Sequence, residues 1–268
     1  MGVITAFLFN RRHPGELRDT LQVVALTLAL ATGVTFLLGW EGALCLAMVF
    51  PLTFGLAAMG ALLGHRFAET QPGSTRSAAL SVLALPLSTL ALPQGSEPAV
   101  REVRSSVEIS APADVVWRNV IAFSPIPEPD GLLFRTGVAY PRSARIEGKG
   151  VGAVRYCVFS TGAFVEPITA WEPGRRLAFD VRESPAPMQE WSIYSRVTPP
   201  HLDGYLASRR GEFRLVALAD GRTRLEGRTW YQLRIEPQGY WALFSDYLIH
   251  RIHRRVLTHI QHEAEAGR

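Results

Sequence analysis

Asp246, His250 and His253 are spaced i, i+4 and i+7, an interval that puts one carboxylate and two imidazoles on one face of a helix. Such a face could move protons or contribute ligands to a metal ion. His201, in the loop Pro199-Pro-His-Leu-Asp-Gly204, could join it. The same positions also read as the polar flank of an amphipathic helix, beside Arg251, Arg254 and Arg255. No further acid or cysteine cluster completes a ligand set, so the expectation is no metal and no cofactor. Tyr231 is a second acid–base candidate, set against the plainer reading of a core aromatic with a satisfied hydroxyl. The chain has no Ser-His-Asp elbow, no P-loop and no dinucleotide fingerprint. Cys45 and Cys157 give neither a disulfide framework nor a zinc pattern.

These residues sit in a chain of two unlike parts. Overall 47% of its residues are hydrophobic and only 19% charged, low for a protein wholly in water. Residues 1–95 carry five arginines (Arg11, Arg12, Arg18, Arg66, Arg76) and four acids (Glu16, Asp19, Glu41, Glu69). The remainder is nearly balanced in charge, so the positive net charge implies no nucleic-acid partner. Lys149 is the single lysine, an arginine bias that fits a GC-rich bacterial genome.

The N-terminal part, residues 1–95, reads as a transmembrane region of two to three helices. Leu21–Trp40 and Ala43–Gly64 are uncharged and long enough to cross a hydrocarbon layer of roughly 30 Å. A third stretch, Ser77–Gly95, is interrupted by Pro86 and Pro93. Gly60 and Gly64 form a small-xxx-small pair that would let a helix approach closely. Arginines precede the first span and flank the second connection, which places both in the cytoplasm of a bacterial inner membrane. Three spans would put the C-terminal part outside the cytoplasm, and two would leave it inside.

From Val100 to about Glu265 the pattern changes. Val100–Ile109 alternates as a half-buried strand, and Pro112 opens a short helix with Val115, Val116, Trp117, Val120 and Ile121 as its apolar stripe. Strands are expected at Ala139–Glu147, Ala153–Ser160, Ala163–Trp171, Leu177–Arg182, Gly211–Ala217 and Thr223–Ile235. Asp220-Gly221 between the last two is a hairpin signal. A helix from about Tyr240 to Ala264 closes the chain, with Trp241, Leu248, Ile249, Ile252, Val256 and Ile260 on its apolar face and Leu248, Ile252 and Val256 presented toward the strands. The fold class is therefore α+β. Alternation turns Leu177, Phe179 and Val181 inward, and likewise Leu225, Gly227, Thr229, Tyr231 and Leu233.

Val107-Glu-Ile-Ser-Ala-Pro-Ala-Asp-Val-Val-Trp117, Gly150-Val-Gly152, Ile168-Thr-Ala-Trp-Glu-Pro173, Gly221-Arg-Thr-Arg-Leu225 and the closing amphipathic helix resemble the START-like (SRPBCC) superfamily. That group includes polyketide cyclases/dehydrases, Bet v 1-type carriers and lipid-transfer domains. The resemblance implies a helix-grip fold, a curved antiparallel sheet around the last helix that encloses an apolar cavity. It also implies Arg155, Cys157 and Phe159 inward on one strand, and Phe164, Glu166 and Ile168 facing the same cavity. Arg155 with Glu166 would then anchor a ligand's polar end or be a satisfied ion pair. The implied wall is Arg155, Cys157, Phe164, Glu166, Phe179, Leu225, Thr229, Tyr231, Leu248, Ile252 and Val256. The apolar hairpin and the insertion Glu183–Arg209 depart from soluble members. That insertion, rich in aromatics and prolines, reads as a lid, a protein-partner surface or a segment lying in the lipid interface.

Three functions fit. The first is membrane-tethered binding or transfer of a hydrophobic small molecule, such as a lipid, polyketide-like or isoprenoid compound. The second is a cyclase- or dehydrase-type enzyme using Tyr231, Glu166 and the helix histidines. The third is an accessory protein that binds a protein partner.

Overall fold

The computed structural model describes residues 1–12, 15–70, 98–129, 131–194, 197, 199 and 204–267. The expected third span, residues 77–95, and His201 lie outside them. The chain forms two compact units, Met1–Ser96 with Glu190–Thr198, and Glu97–Gln189 with Pro199–Arg268.

The first unit holds α1 (Gly2–Arg12), α2 (Leu17–Leu37) and α3 (Ala43–Thr70). α2 and α3 are long and apolar enough to cross a membrane, yet only 11% and 17% of their most apolar windows are buried within the protein. Leu26, Leu30, Phe54, Met59 and Leu63 are exposed. A core helix of a water-soluble protein buries such residues, whereas a helix facing lipid leaves them outward. α1 is an element that sequence periodicity did not announce, because it is short and ends on arginines. It packs in the notch made by Gly60 and Gly64: a Cβ at Gly64 would lie 2.5 Å from the Val3 carbonyl oxygen. Where two helices meet that closely, only hydrogen fits. Asn10 and Thr20 exchange side-chain hydrogen bonds at this end, and Thr20 also meets His65 Nδ1 at 3.1 Å.

Part of the insertion belongs to this unit. The first N–H groups of a helix have no partner within it. In α3 the Leu44 and Cys45 N–H groups donate to the Glu190 carboxylate, each at 3.2 Å, and Ala43 N–H donates to the Trp191 carbonyl at 2.8 Å. The Tyr194 hydroxyl donates to the Leu37 carbonyl at the end of α2.

The second unit is an α+β helix-grip fold. Its strands are β1 (Arg101–Ile109), β2 (Pro141–Glu147), β3 (Val154–Phe159), β4 (Gly162–Glu172), β5 (Arg176–Asp180), β6 (Leu206–Ala217) and β7 (Thr223–Leu233). They form one antiparallel sheet in the order β1-β7-β6-β5-β4-β3-β2. Irregular pairing in β2, β4 and β6 marks bulges, which bend strands and curl a sheet. Two helices, α4 (Ala113–Ile121) and α5 (Leu132–Arg135), fill the connection from β1 to β2. The last helix, α6 (Gln238–Ala266), packs on β1, β7, β2 and α4. One core gathers Ile109, Val116, Leu177, Leu225, Leu257 and Ile260, all essentially inaccessible. A smaller one holds Val103, Tyr231, Leu233, Ala242 and Ile249.

Most strand limits fall within two residues of expectation. β6 starts five residues earlier than Gly211, because Leu206–Arg210 pairs with β7 even though its alternation is interrupted by a bulge at Ser208/Arg210.

Candidate functional site

Between α6 and the sheet lies a cavity of about 110 Å³, lined mainly by apolar atoms. Phe159, Phe164, Phe179 and Phe213 come from the strands, and Ile249, Ile252, His253, Val256 and Leu257 from α6. A volume of this order is close to that of a cavity able to admit one benzene ring.

Arg155 and Glu166 sit in the wall, both buried, and form an ion pair through Arg155 Nη1 and Glu166 Oε2. Local rules bring them together. Phe159 pairs with Gly162 across the two-residue turn Ser160-Thr161, and that register places Arg155 directly opposite Glu166. Arg155 Nε donates to the Ile121 carbonyl at 3.2 Å, and the guanidinium carbon lies 5.5–5.6 Å from the ring centres of Phe123, Phe179 and Phe213. Its Nη2 has no hydrogen-bond partner among the described residues. Burial pushes the Glu166 carboxyl up, and the guanidinium pulls against that shift. Cys157, two residues from Arg155 on the same face, is pushed up to about 12 by burial and by the Glu166 charge, so its thiol stays protonated and inert.

The structure brings together Arg155, Cys157, Phe164, Glu166, Phe179, Thr229, Ile252 and Val256 around this cavity. Three expected wall residues lie elsewhere. Leu225 is sealed in the main core and Tyr231 in the smaller one, because alternation gives the face of a strand but not the position of a void along it. Leu248 lies outside the wall, where Ile249 stands instead, while Ile252 and Val256 keep their expected places: Ile249 is the member of that part of the apolar face that reaches the void. Ile168 likewise faces the core rather than the cavity.

The Asp246–His250–His253 face divides its tasks. Asp246 accepts from the Tyr231 hydroxyl at 2.5 Å and from Arg101 Nη2 at 2.8 Å. Burial and the Asp246 carboxylate push the Tyr231 hydroxyl up to about 12, and its place away from the cavity removes it from acid–base work there. His250 and His253 turn instead to Ser105, and His253 to Thr229 as well. Among the described residues no three His, Cys, Asp or Glu side chains group closely enough to hold a metal ion. Ser105 and Phe213 are site residues that sequence reasoning missed. Ser105 is a small polar residue at an inward position of β1, a mismatch visible in the alternation once the strand's face is fixed.

Burial, with the neighbouring His250, depresses His253 to about 4. An unfolded histidine titrates near 6.5, so between these values the unfolded chain binds the extra proton and stability falls as pH falls. The loss is fully developed below about pH 4 and amounts to at most about 3 kcal/mol. Denaturant titrations of wild type and His253→Gln from pH 7 to pH 4 check this. The wild type is expected to lose more stability than the variant, and equal losses would show that His253 is not held neutral.

A family profile described as polyketide cyclase / dehydrase and lipid transport matches residues 100–238. Similar solved structures include a structural-genomics protein from Nitrosospira multiformis (19% identity, covering 63% of this chain and 100% of that one, TM-score 0.39). They also include the Zhui aromatase/cyclase from Streptomyces sp. R1128 (17% identity, 62% and 94% covered, TM-score 0.39). A third is norcoclaurine synthase from Thalictrum flavum (13% identity, 65% and 99% covered, TM-score 0.41). A sequence search of curated proteins finds no match.

Proposed function

Because the chain belongs to the polyketide cyclase / dehydrase and lipid transport family, we propose that it binds or transfers a hydrophobic small molecule in the cavity beneath α6 while tethered to a membrane. The observation that carries this reading is an aromatic-lined void whose wall holds a buried arginine with Nη2 lacking a hydrogen-bond partner among the described residues. An apolar pocket with a few convergent polar groups is the usual form of a small-molecule site. The ligand places a ring or short chain among the phenylalanines and an oxygen-bearing end against Arg155. A longer lipid or a fused polycycle enters only if these side chains rotate, since the void has room for about one ring.

Fluorobenzene, followed by fluorine NMR on the full-length protein in detergent, tests the cavity. The wild type is expected to bind it saturably and to gain thermal stability with concentration, as any ligand of the native state requires. Gly227→Leu is expected to abolish that binding without loss of stability. A Cβ at Gly227 would stand 3.6 Å from Leu257 and 3.8 Å from Phe213, ordinary contacts, and the added atoms extend into the void. Saturable binding that survives this substitution would overturn the reading.

The second reading is an enzyme of cyclase or dehydrase type, favoured by the presence of His253 and Glu166 in the same wall. Turnover lost in Glu166→Gln or His253→Ala with binding retained distinguishes it from a carrier.

For localisation we propose a multi-pass protein of the bacterial cytoplasmic membrane, with the helix-grip unit on the extracytoplasmic side, an arrangement that requires residues 77–95 to form a third span, since α2 and α3 alone would leave the unit in the cytoplasm. The support is the placement of arginines around α2 and α3 and their outward apolar faces. A cysteine at Asp220, exposed in the β6–β7 turn, is expected to react with a membrane-impermeant thiol reagent in intact cells once Cys45 and Cys157 are serine. Reaction only after lysis would place the unit in the cytoplasm.

A further inference from the structure

Ser105 Oγ lies 2.8 Å from His250 Nδ1 and 3.1 Å from His253 Nδ1, and Thr229 Oγ1 lies 2.8 Å from His253 Nε2. These four side chains make one unbroken file. Its two ends open on different spaces. Thr229 and His253 line the cavity, whereas Ser105 and His250 line a separate polar groove between β1, β7 and α6. Ser105 is itself buried, and the residue paired with it on β7 is Gly227, whose missing side chain leaves room above the sheet.

Proton counting leaves two arrangements in which this file runs unbroken. A hydroxyl has one proton to donate, and a neutral imidazole has one N–H and one bare nitrogen. Ser105 therefore cannot donate to both Nδ1 atoms, and a file that conducts has it donate to one ring and accept from the other. In the first arrangement Thr229 donates to His253 Nε2, His253 Nδ1–H donates to Ser105, and Ser105 donates to His250 Nδ1. His250 then carries its proton on Nε2. In the second arrangement every donor and acceptor is exchanged. One proton entering at Thr229 and one leaving from His250 Nε2 converts the first into the second, with no net gain of charge along the file. His253 suits the middle position because it is held neutral, so it keeps both a donor and an acceptor.

We propose that Thr229, His253, Ser105 and His250 form a proton relay between the apolar cavity and the polar groove. The proposal rests on the cavity reading and deepens it. The cavity's occupant is a compound with an exchangeable or mobilisable proton, such as a phenolic hydroxyl or an enolisable carbonyl, presented to Thr229. The relay takes one proton from that group and releases another to water, or runs in reverse. The surroundings are mixed in charge: Asp246 and Arg254 flank His250 along α6, Arg104, Arg224 and Glu226 line the groove from β1 and β7, and Arg155 with Glu166 faces the cavity.

The test is the exchange of the His253 ring N–H proton with water, read by saturation transfer on full-length protein carrying nitrogen-15 histidine in detergent. It needs no ligand, so its outcome is independent of fluorobenzene binding. Wild type is expected to exchange rapidly despite the burial of Ser105. Ser105→Ala cuts the file in the middle, and His250→Gln, at an exposed position, removes its outer acceptor. Both are expected to slow the exchange. A merely structural role predicts the opposite sign, because removing a packing hydroxyl loosens the ring's surroundings and speeds its exchange. Exchange that is unchanged or faster in either variant would overturn the relay.

Discussion

Arg155→Leu in the full-length protein is expected to cost about 3–5 kcal/mol of stability, the range found when one partner of a buried ion pair is removed. The loss comes less from the missing attraction than from the Glu166 carboxylate left without a partner in a low-dielectric site. Arg155→Leu combined with Glu166→Leu is therefore expected to be more stable than Arg155→Leu alone, because no lone charge remains. Denaturant midpoints at unchanged slope measure both effects. A double variant less stable than the single would mean that Glu166 without Arg155 is not a lone buried charge, and that its side chain still contributes packing or hydrogen bonds.

Leu225→Ala should be the other severe change, with a loss of about 2–5 kcal/mol. Leu225 is fully buried and stands away from the void, so its truncation opens a new cavity in close-packed surroundings. Fluorobenzene binding in the old cavity is expected to persist at temperatures where the variant remains folded. Ile252→Ala offers the contrast. Its side chain already borders empty space and is only partly buried, so truncation enlarges a void instead of creating one and costs less. Equal losses at the two positions would contradict the placement of the cavity beneath α6 rather than at Leu225.

Both predictions depend on distinctions that differ in how far the chain's order of residues announces them. Period-two alternation separated the inward set Leu177, Phe179 and Val181 from Arg176, Asp180 and Arg182, because charged side chains cannot share a buried face. Asp220-Gly221 announced the β6–β7 hairpin, since Gly221 must adopt a positive φ, here 78°, that other residues resist. The uncharged runs announced α2 and α3 for an equally local reason: helices longer than a bilayer is thick need no partner to be recognised.

What the sequence determined by itself was thus the division into an apolar helical part and an α+β part, the strand order along the chain and the face of most strands. These are set by neighbours within a few residues. Only the tertiary structure decided where the void lies, since a cavity is the space left when several elements fail to touch, and no single element encodes it. For the same reason it decided that Ile249 rather than Leu248 faces the void, and that Tyr231 bonds to Asp246 instead of reaching the ligand space. The junction of Ser105 with His250 and His253 spans about 150 residues of chain, and it exists because β1 and α6 cross where Gly227 leaves room.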